Sequence, residues 1–173
     1  MSGKMDMALI YGEGPIKGVA MLPLFREEMF LVSPPETAFE EPIDRPLPLA
    51  ALEGIELLLP SPGHFLRQLI EASFARARVT PRVSSEIESV SALGAAVNEG
   101  LGSTILPASV AVANADFAGA ELRRLVRPVI EATVSLCVSD HLPLSEPALA
   151  ARAVLLDTVA SALSIERMGM RPA

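Results

Sequence analysis

The sequence predicts an α/β fold built around a small parallel sheet, and three observations carry that prediction. Val90, Leu93, Val97 and Leu101 recur near helical period, with Ser89 ahead of them as a cap and Gly100 and Gly102 behind them as a stop. Glu86-Ile87-Glu88 before this helix reads as a strand, and Ile105-Leu106 after it, closed by Pro107, reads as a strand covered on both faces. A similar strand, turn and helix begins at Glu56, so two successive strand-helix-strand units make one lobe with right-handed crossovers. The 173 residues suffice for one ordinary domain or two small lobes that share a boundary.

Taken in order, Met7-Ala8-Leu9-Ile10-Tyr11 is a continuous apolar run ended by Gly12, as expected of a central parallel strand. Only six residues precede it, so its usual neighbours fall outside this chain. Met29-Phe30-Leu31-Val32 is a second strand, stopped by Ser33-Pro34-Pro35. Residues 33–54 hold Pro34, Pro35, Pro42, Pro46 and Pro48, which predicts a stiffened connection and a lobe boundary, with one short helical turn at Leu49-Ala50-Ala51-Leu52. There follow a strand at 56–59, the turn Pro60-Ser61-Pro62-Gly63, a helix at 64–78, a strand at 82–87, a helix at 89–99 and a strand at 103–106. In the first helix Phe65, Leu66, Leu69, Ile70 and Phe74 form the apolar stripe, and Arg67, Gln68 and Glu71 face outward. Residues 130–138 alternate polar and apolar, which suits a return strand with two unlike faces. Ser145-Glu146-Pro147 opens a last helix whose buried face is Leu149, Leu156, Val159 and Leu163, and the tail from Glu166 frays. The domain reading is a first-lobe remnant at 1–32 with 139–173, a connection at 33–54, and a second lobe with the return strand at 55–138.

Composition excludes several function classes. The formal net charge of −7 argues against a sequence-independent grip on nucleic acid. Arg123, Arg124 and Arg127 form the one basic cluster, and without interleaved aromatics it reads as a solvated or salt-bridged face. Half the residues are hydrophobic and the mean hydropathy is +0.41, yet no apolar run approaches the roughly 20 residues of a membrane span. With no secretory signal at the N-terminus, a cytoplasmic location and no membrane partner are expected. Cys137, the single cysteine, reads as a half-buried structural thiol.

The strongest local candidate is Pro60-Ser61-Pro62-Gly63-His64-Phe65, a turn from a buried strand into a helix. Backbone N–H groups at a helix start lack intrahelical partners, and the dipole favours an anion there. The plainer reading is that Ser61 or His64 caps the helix. Tyr11, Gly12 and Glu13 close the first strand at the end where open α/β sheets bind ligands, and Ser103 and Thr104 open the last strand of the second lobe. Tyr11 and Thr104 are equally open to core-sealing roles. Glu86 and Glu88 share a strand face but have no nucleophile or metal cluster beside them, so an acid/base pair is rejected. His64 and His141 lack further ligands at zinc spacing, and Gly12-Glu13-Gly14 and Gly100-Leu101-Gly102 lack the third glycine of a dinucleotide loop. No catalytic residue, metal or cofactor is expected, and an enzyme is not.

Several segments together resemble the effector-binding domain of LysR-type transcriptional regulators. Gly3-Lys4-Met5-Asp6-Met7-Ala8-Leu9 is similar to the family's "G-x-L-D-x-A-L" strand, and Pro23-Leu24-Phe25-Arg26-Glu27-Glu28-Met29-Phe30-Leu31-Val32 to its crossover. Leu59-Pro60-Ser61 with His64-Phe65-Leu66-Arg67 looks like the start of the second lobe, and Gly100-Leu101-Gly102 to Pro107 like its return; the match runs from about residue 3 to 163. Met5 to Tyr11 and Glu86-Ile87-Glu88-Ser89 look most like the nitrogen assimilation control subgroup. The resemblance implies a two-lobe fold similar to type 2 periplasmic binding proteins, here with an incomplete first lobe. It also implies a small anionic effector contacted by Tyr11, Gly12, Ser61, Gly63, His64, Phe65 and Thr104, and a homo-oligomer. DNA would be bound only through a winged helix-turn-helix that this chain lacks. A transport-type solute-binding protein fragment shares the fold and is the alternative, as is a pure oligomerisation fragment.

Overall fold

The computed structural model describes residues 5–12, 14–164 and 169–173. Its strands are β1 (Met7–Tyr11), β2 (Val19–Ser33), β3 (Leu47–Pro48), β4 (Glu56–Leu59), β5 (Arg82–Glu86), β6 (Thr104–Pro107), β7 (Glu121–Val126), β8 (Glu131–Ser139) and β9 (Met170–Pro172). The α-helices are α1 (Phe65–Ala77), α2 (Val90–Asn98), α3 (Ala108–Ala113) and α4 (Glu146–Ser164), with 3-10 turns at Leu49–Leu52 and Ala115–Phe117. The chain divides into a smaller unit, Met1–Glu27 with Ala132–Ala173, and a larger one, Glu28–Glu131. Gly3, Lys4 and Glu13, each part of an expectation above, lie outside the described residues.

The larger unit contains both strand-helix-strand units. β4 and β5 pair in parallel from Glu56↔Arg82 to Leu59↔Glu86. On the other side of β4, Leu57 bridges Ser103 in parallel, with Leu58 N donating to Ser103 O at 2.8 Å and Ser103 N to Glu56 O at 2.9 Å. β6 then pairs antiparallel with β2, which meets β7 on its other edge, and β7 takes β3 in parallel. Ser89 caps α2 by accepting from Ala92 N. Leu93 and Val97 of α2 join Val32, Leu58, Leu106, Ala111 and Phe117 in one buried cluster, whereas Val90 and Leu101 at the ends of the helical stripe are exposed. Gly94 meets the second 3-10 turn so closely that a Cβ would stand 2.7 Å from Asp116 Cβ and 2.8 Å from its carbonyl oxygen.

The proline-bearing stretch 33–54 folds inside the larger unit, and the chain crosses between units at Glu27/Glu28 and Glu131/Ala132. Arg123 explains why. Expected on a solvated face, its residue is only 3% exposed. Its Nη2 donates to the carbonyl oxygens of Glu41 (2.9 Å), Pro42 (2.8 Å) and Arg45 (3.3 Å), and the guanidinium lies 5.0 Å from the centre of the Phe39 ring. Prolines leave a loop rich in acceptors and poor in donors, and one cation supplies what is missing. Arg124 does face outward, in a two-pronged ion pair with Glu28 at 2.6 and 2.7 Å.

In the smaller unit β1 pairs antiparallel with β8, Met7↔Val138 to Tyr11↔Val134, rather than serving as a central parallel strand. An apolar run reports burial, not the direction of its partner, and even burial is partial here: Leu9 is 48% exposed. β8 reverses another expectation, being buried on both faces from Ala132 to Cys137. Ser135 is tolerated inside because its hydroxyl donates to Gly12 O at 2.6 Å. Residues 170–172, expected to fray, form β9 against β2 from Phe25↔Pro172 to Glu27↔Met170; residues 166–168 lie outside the described residues.

Ser145 caps α4 through Ala148 N. The buried face expected of that helix is thin: Ala148 is buried, Leu156, Val159 and Leu163 are half-buried, and Leu149 is 51% exposed. At 19 residues and mean hydropathy 1.2, α4 is also long and apolar enough, by length and composition alone, to cross a membrane, contrary to the expectation from sequence. Its alanines and leucines outweigh Arg152 and Asp157.

Replacing Arg123 by Met keeps the apolar stem and strands three carbonyl oxygens. Urea unfolding of R123M should show a loss of about 2–3 kcal/mol, with faster proteolysis inside residues 33–54. An unchanged midpoint would show that the loop does not depend on the guanidinium.

Candidate ligand-binding site

β4 ends at Leu59, and the chain turns through residues 60–63 before α1 begins at Phe65. Two prolines exclude a helix across the turn, and the turn closes with His64 N donating to Ser61 O at 3.0 Å. His64 is the N-cap: its Nδ1 accepts from Leu66 N at 3.1 Å. Pro62, Gly63, His64 and Phe65 are exposed and Ser61 half-buried. Phe65 thus leaves the apolar stripe expected for this helix, while Ile70 and Phe74 fill the core.

The turn is held from below by groups that sequence reasoning placed elsewhere. Arg67, expected to face outward, is 7% exposed. Its Nη1 donates to Pro60 O at 3.0 Å, its Nε meets Glu71 at 2.6 Å, and Glu86 lies 3.6 Å from Nη1. Ile87 N donates to Leu59 O at 2.9 Å. Glu88, read only as half of a rejected acid pair, accepts from Ser61 N through Oε1 at 3.0 Å. Hydrogen bonds from Ser61, followed by the nearby His64, hold the Glu88 carboxyl below the usual carboxylate range. The residue spacing carried one clue, since a strand ending in Glu-x-Glu beside a parallel neighbour brings its second carboxylate to the neighbour's turn.

Thr104 opens β6 opposite Val32 and is fully buried. Among the described residues its Oγ1 has no hydrogen-bond partner, and neither has Ser33 Oγ, the next residue along β2.

Tyr11 and Gly12 belong to the smaller unit. Both backbone polar groups of Gly12 are taken by β8: its N donates to Thr133 O at 2.7 Å and its O accepts from Ser135. Its φ of +138° favours glycine. Tyr11 OH donates to Glu27 Oε2 at 3.1 Å, and Glu27, 2% exposed, is a buried carboxylate that no sequence signal singled out. Burial first, then the charge of Glu27 and the hydrogen bond to it, push the Tyr11 phenol well above its ordinary value of 10.0. Ser61, Gly63, His64, Phe65 and Thr104 lie in the larger unit, so the expected site residues fall in two groups. Cys137 is buried, and burial raises its thiol pKa. Among the described residues no group of three or more His, Cys, Asp or Glu side chains is placed to hold a metal ion.

The chain is a two-unit α/β domain with an exposed strand-to-helix turn, and comparison with known proteins gives the family. The LysR substrate binding domain family matches residues 1–160, and the chain belongs to it. The nitrogen assimilation regulatory protein nac of Klebsiella aerogenes is 30% identical over 159 residues, covering 92% of this chain and 50% of that protein. The nac protein of Escherichia coli K12 is 29% identical over 164 residues, covering 95% and 52%. The chain therefore spans about half the length of the curated relatives it matches. Among solved structures, the CcmR regulatory domain of Synechocystis PCC6803 in complex with 2-PG superposes with a TM-score of 0.77 at 16% identity, covering 90% of this chain and 74% of that one. The effector binding domain of QuiR in complex with shikimate gives 0.72 at 19%, covering 91% and 73%. The fold shared with these domains is the type 2 periplasmic-binding-protein-like one.

Tyr11 is the only tyrosine and the chain has no tryptophan, so tyrosinate absorbance reads this one phenol. The folded chain holds the proton more tightly than the unfolded chain. The stabilisation is therefore complete below about pH 10 and is lost as pH rises past the unfolded value. Near-ultraviolet titration should show almost no tyrosinate at about pH 11 while circular dichroism remains native, with ionisation accompanying unfolding. A midpoint near 10 in the folded chain would contradict the pairing of Tyr11, itself 38% exposed, with the buried carboxylate of Glu27.

Proposed function

We propose that the chain is the effector-sensing part of a bacterial LysR-type transcriptional regulator, and that it takes a small anionic metabolite at the turn formed by residues 60–65. Family membership supports the first statement. The observation that carries the second is that the turn already receives an anion: the Glu88 carboxylate sits on Ser61 N at 3.0 Å. A free carboxylate or phosphate oxygen competes for the same donor and for the start of α1. Thr104, Tyr11 and Gly12 remain candidate contacts within this reading. Occupancy changes DNA binding by the helix-turn-helix of the whole protein if the ligand prefers one arrangement of the sensor over another.

Calorimetry with 2-PG and shikimate, the molecules named for two solved relatives, tests the site. Ser61→Ala should leave binding nearly intact if only the backbone N–H is used, or weaken it by about 0.5–1.5 kcal/mol if the hydroxyl also contacts the ligand. Gly63→Asp is the sharper variant. A Cβ at residue 63 meets nothing within 4 Å, so the substitution adds charge without a clash and should abolish binding of either anion. Glu88→Ala removes the internal competitor and should tighten it. Unchanged affinity in both G63D and E88A would place the ligand elsewhere.

With its −7 net charge and no recognition helix among the described elements, the chain by itself should leave promoter DNA unshifted at physiological salt. It should also self-associate, through the α1 edge at 65–74 and the β2 region. Mobility shift and sedimentation velocity check these expectations, and a salt-sensitive shift or a strict monomer at tens of micromolar, a range that brackets weak association roughly, would each count against the corresponding one.

A further inference from the structure

We propose that His64 is a proton-operated latch on the turn at residues 60–65: neutral, it caps α1, and protonated, it releases Leu66 N and leaves a cation beside Glu88. The neutral state is the one the structure holds. His64 Nδ1 accepts from Leu66 N at 3.1 Å, so the single ring proton of the neutral imidazole is on Nε2. The backbone on either side of the ring is fixed independently, His64 N donating to Ser61 O at 3.0 Å and Gln68 N to His64 O at 3.2 Å. The ring can therefore change partners while the turn keeps its course.

The chemistry of the cap sets it apart from the others in this chain. A cap works by accepting from the first amides of a helix, and a serine hydroxyl does so at any pH near neutrality. α2 and α4 are capped in that way, by Ser89 at Ala92 N and by Ser145 at Ala148 N. An imidazole differs, since the nitrogen that accepts is also one that takes a proton. Protonation of Nδ1 and the bond from Leu66 N exclude each other: the incoming proton occupies the lone pair, and two N–H groups then face one another. His64 is exposed, so the proton arrives directly from solvent. The imidazolium also stands at the positive end of the α1 dipole, which adds to the push away from Leu66.

The surrounding charges decide what the imidazolium meets. Arg67, Glu71 and Glu86 are ion-paired with one another beneath the turn, Arg67 Nε lying 2.6 Å from Glu71 and Nη1 3.6 Å from Glu86. Gln68, also on α1, is neutral and donates to Pro62 O. Glu88 reaches the turn from the segment after β5, accepts from Ser61 N at 3.0 Å and interacts electrostatically with His64. Its carboxyl is held below the usual range, so it stays ionised while an imidazole titrates. Protonating His64 thus takes the His64–Glu88 pair from one negative charge to none, frees Leu66 N, and offers Glu88 a donor other than Ser61 N. Resting on the reading of this turn as an anion site, the latch makes the turn take an anionic ligand more tightly in acid than at neutral pH.

Nitrogen-15 NMR of the isotope-labelled chain between about pH 8 and about pH 5 tests the latch without any ligand. At the upper end the His64 ring should show the pattern of a fixed Nε2–H tautomer. On acidification the Leu66 amide proton should move upfield along His64's own titration curve, while the Ala148 amide stays in place. In His64→Asn, a cap that accepts throughout this range, the Leu66 amide should not move, although His141, the other histidine, is still present. A neutral ring that is an even mixture of tautomers, a ring that titrates without moving Leu66, or a Leu66 amide that moves equally in H64N overturns the proposal. Calorimetry with shikimate, whose single carboxylate keeps its charge across the range, tests the consequence. Affinity should rise about fivefold on acidification of the wild-type chain and stay flat in H64N; no rise, or an equal rise in both, overturns the coupling. Absence of shikimate binding at either end of the range strikes the anion site instead, and the ring and amide signals then decide the latch by themselves.

Discussion

The candidate site depends on β4 being hydrogen-bonded along both edges. Leu57, Leu58 and Leu59 are all but inaccessible to solvent, and a strand so enclosed survives only if its backbone groups are satisfied by neighbours. β5 supplies one side and the Ser103 crossing supplies the other. With that strand immobilised, the chain leaves it at a fixed place. Arg67 and Glu88, from the helix after the turn and the segment after β5, then grip the turn on either side. The close approach at Ser103 explains Gly102 as well: its φ is +153°, and a Cβ would lie 3.0 Å from Glu56 O and 3.2 Å from Leu58 Cγ. The glycines after α2 thus stop a helix and also make room for the strand pairing that defines the sheet.

The larger unit was legible in the sequence because its signals are local. Caps at Ser89 and His64, a glycine stop at residues 100 and 102, and apolar strands bounded by proline each act within a few residues, and the elements from β4 to β6 appear within a residue or so of where those signals put them. What could not be read was which polar residues turn inward. Arg67, Arg123, Ser135 and Glu27 have side chains whose usual place is the surface, and each is buried because a particular backbone carbonyl, hydroxyl or carboxylate lies within reach. Apart from Glu71, four positions from Arg67 on the same helix, those partners are between 7 and 123 positions away along the chain, beyond any periodicity argument. The smaller unit was the less legible for a related reason. Its apolar runs were clear, but the direction of pairing and the extent of covering for β1 and α4 are set by neighbours rather than by composition.

The turn at 60–65 shows the same division. Its position, its exposure and the capping role of His64 follow from a buried strand, two prolines and a helix stripe. Its electrostatics do not, because they depend on Glu88 arriving from the other side of β5. The resident carboxylate sits on Ser61 N, ahead of the helix, while the helix start itself is capped by His64 at Leu66 N, so an anion proposed for the turn has to compete with Glu88.

The contact at Gly94 has a mechanical consequence. α2 is anchored near one end, where Glu88 and Ser89 lead into it from the turn, and again along its length, where Gly94 lies flush against Asp116 and Asn98 Nδ2 donates to Asp116 O at 2.6 Å. A rod clamped at both places transmits displacement instead of absorbing it. A displacement of Glu88 off Ser61 would reach the segment around Asp116 through the nine residues of α2, whose Leu93 and Val97 share a buried cluster with Phe117. Alanine at residue 94 would wedge the rod away from its far mount and disconnect the two ends.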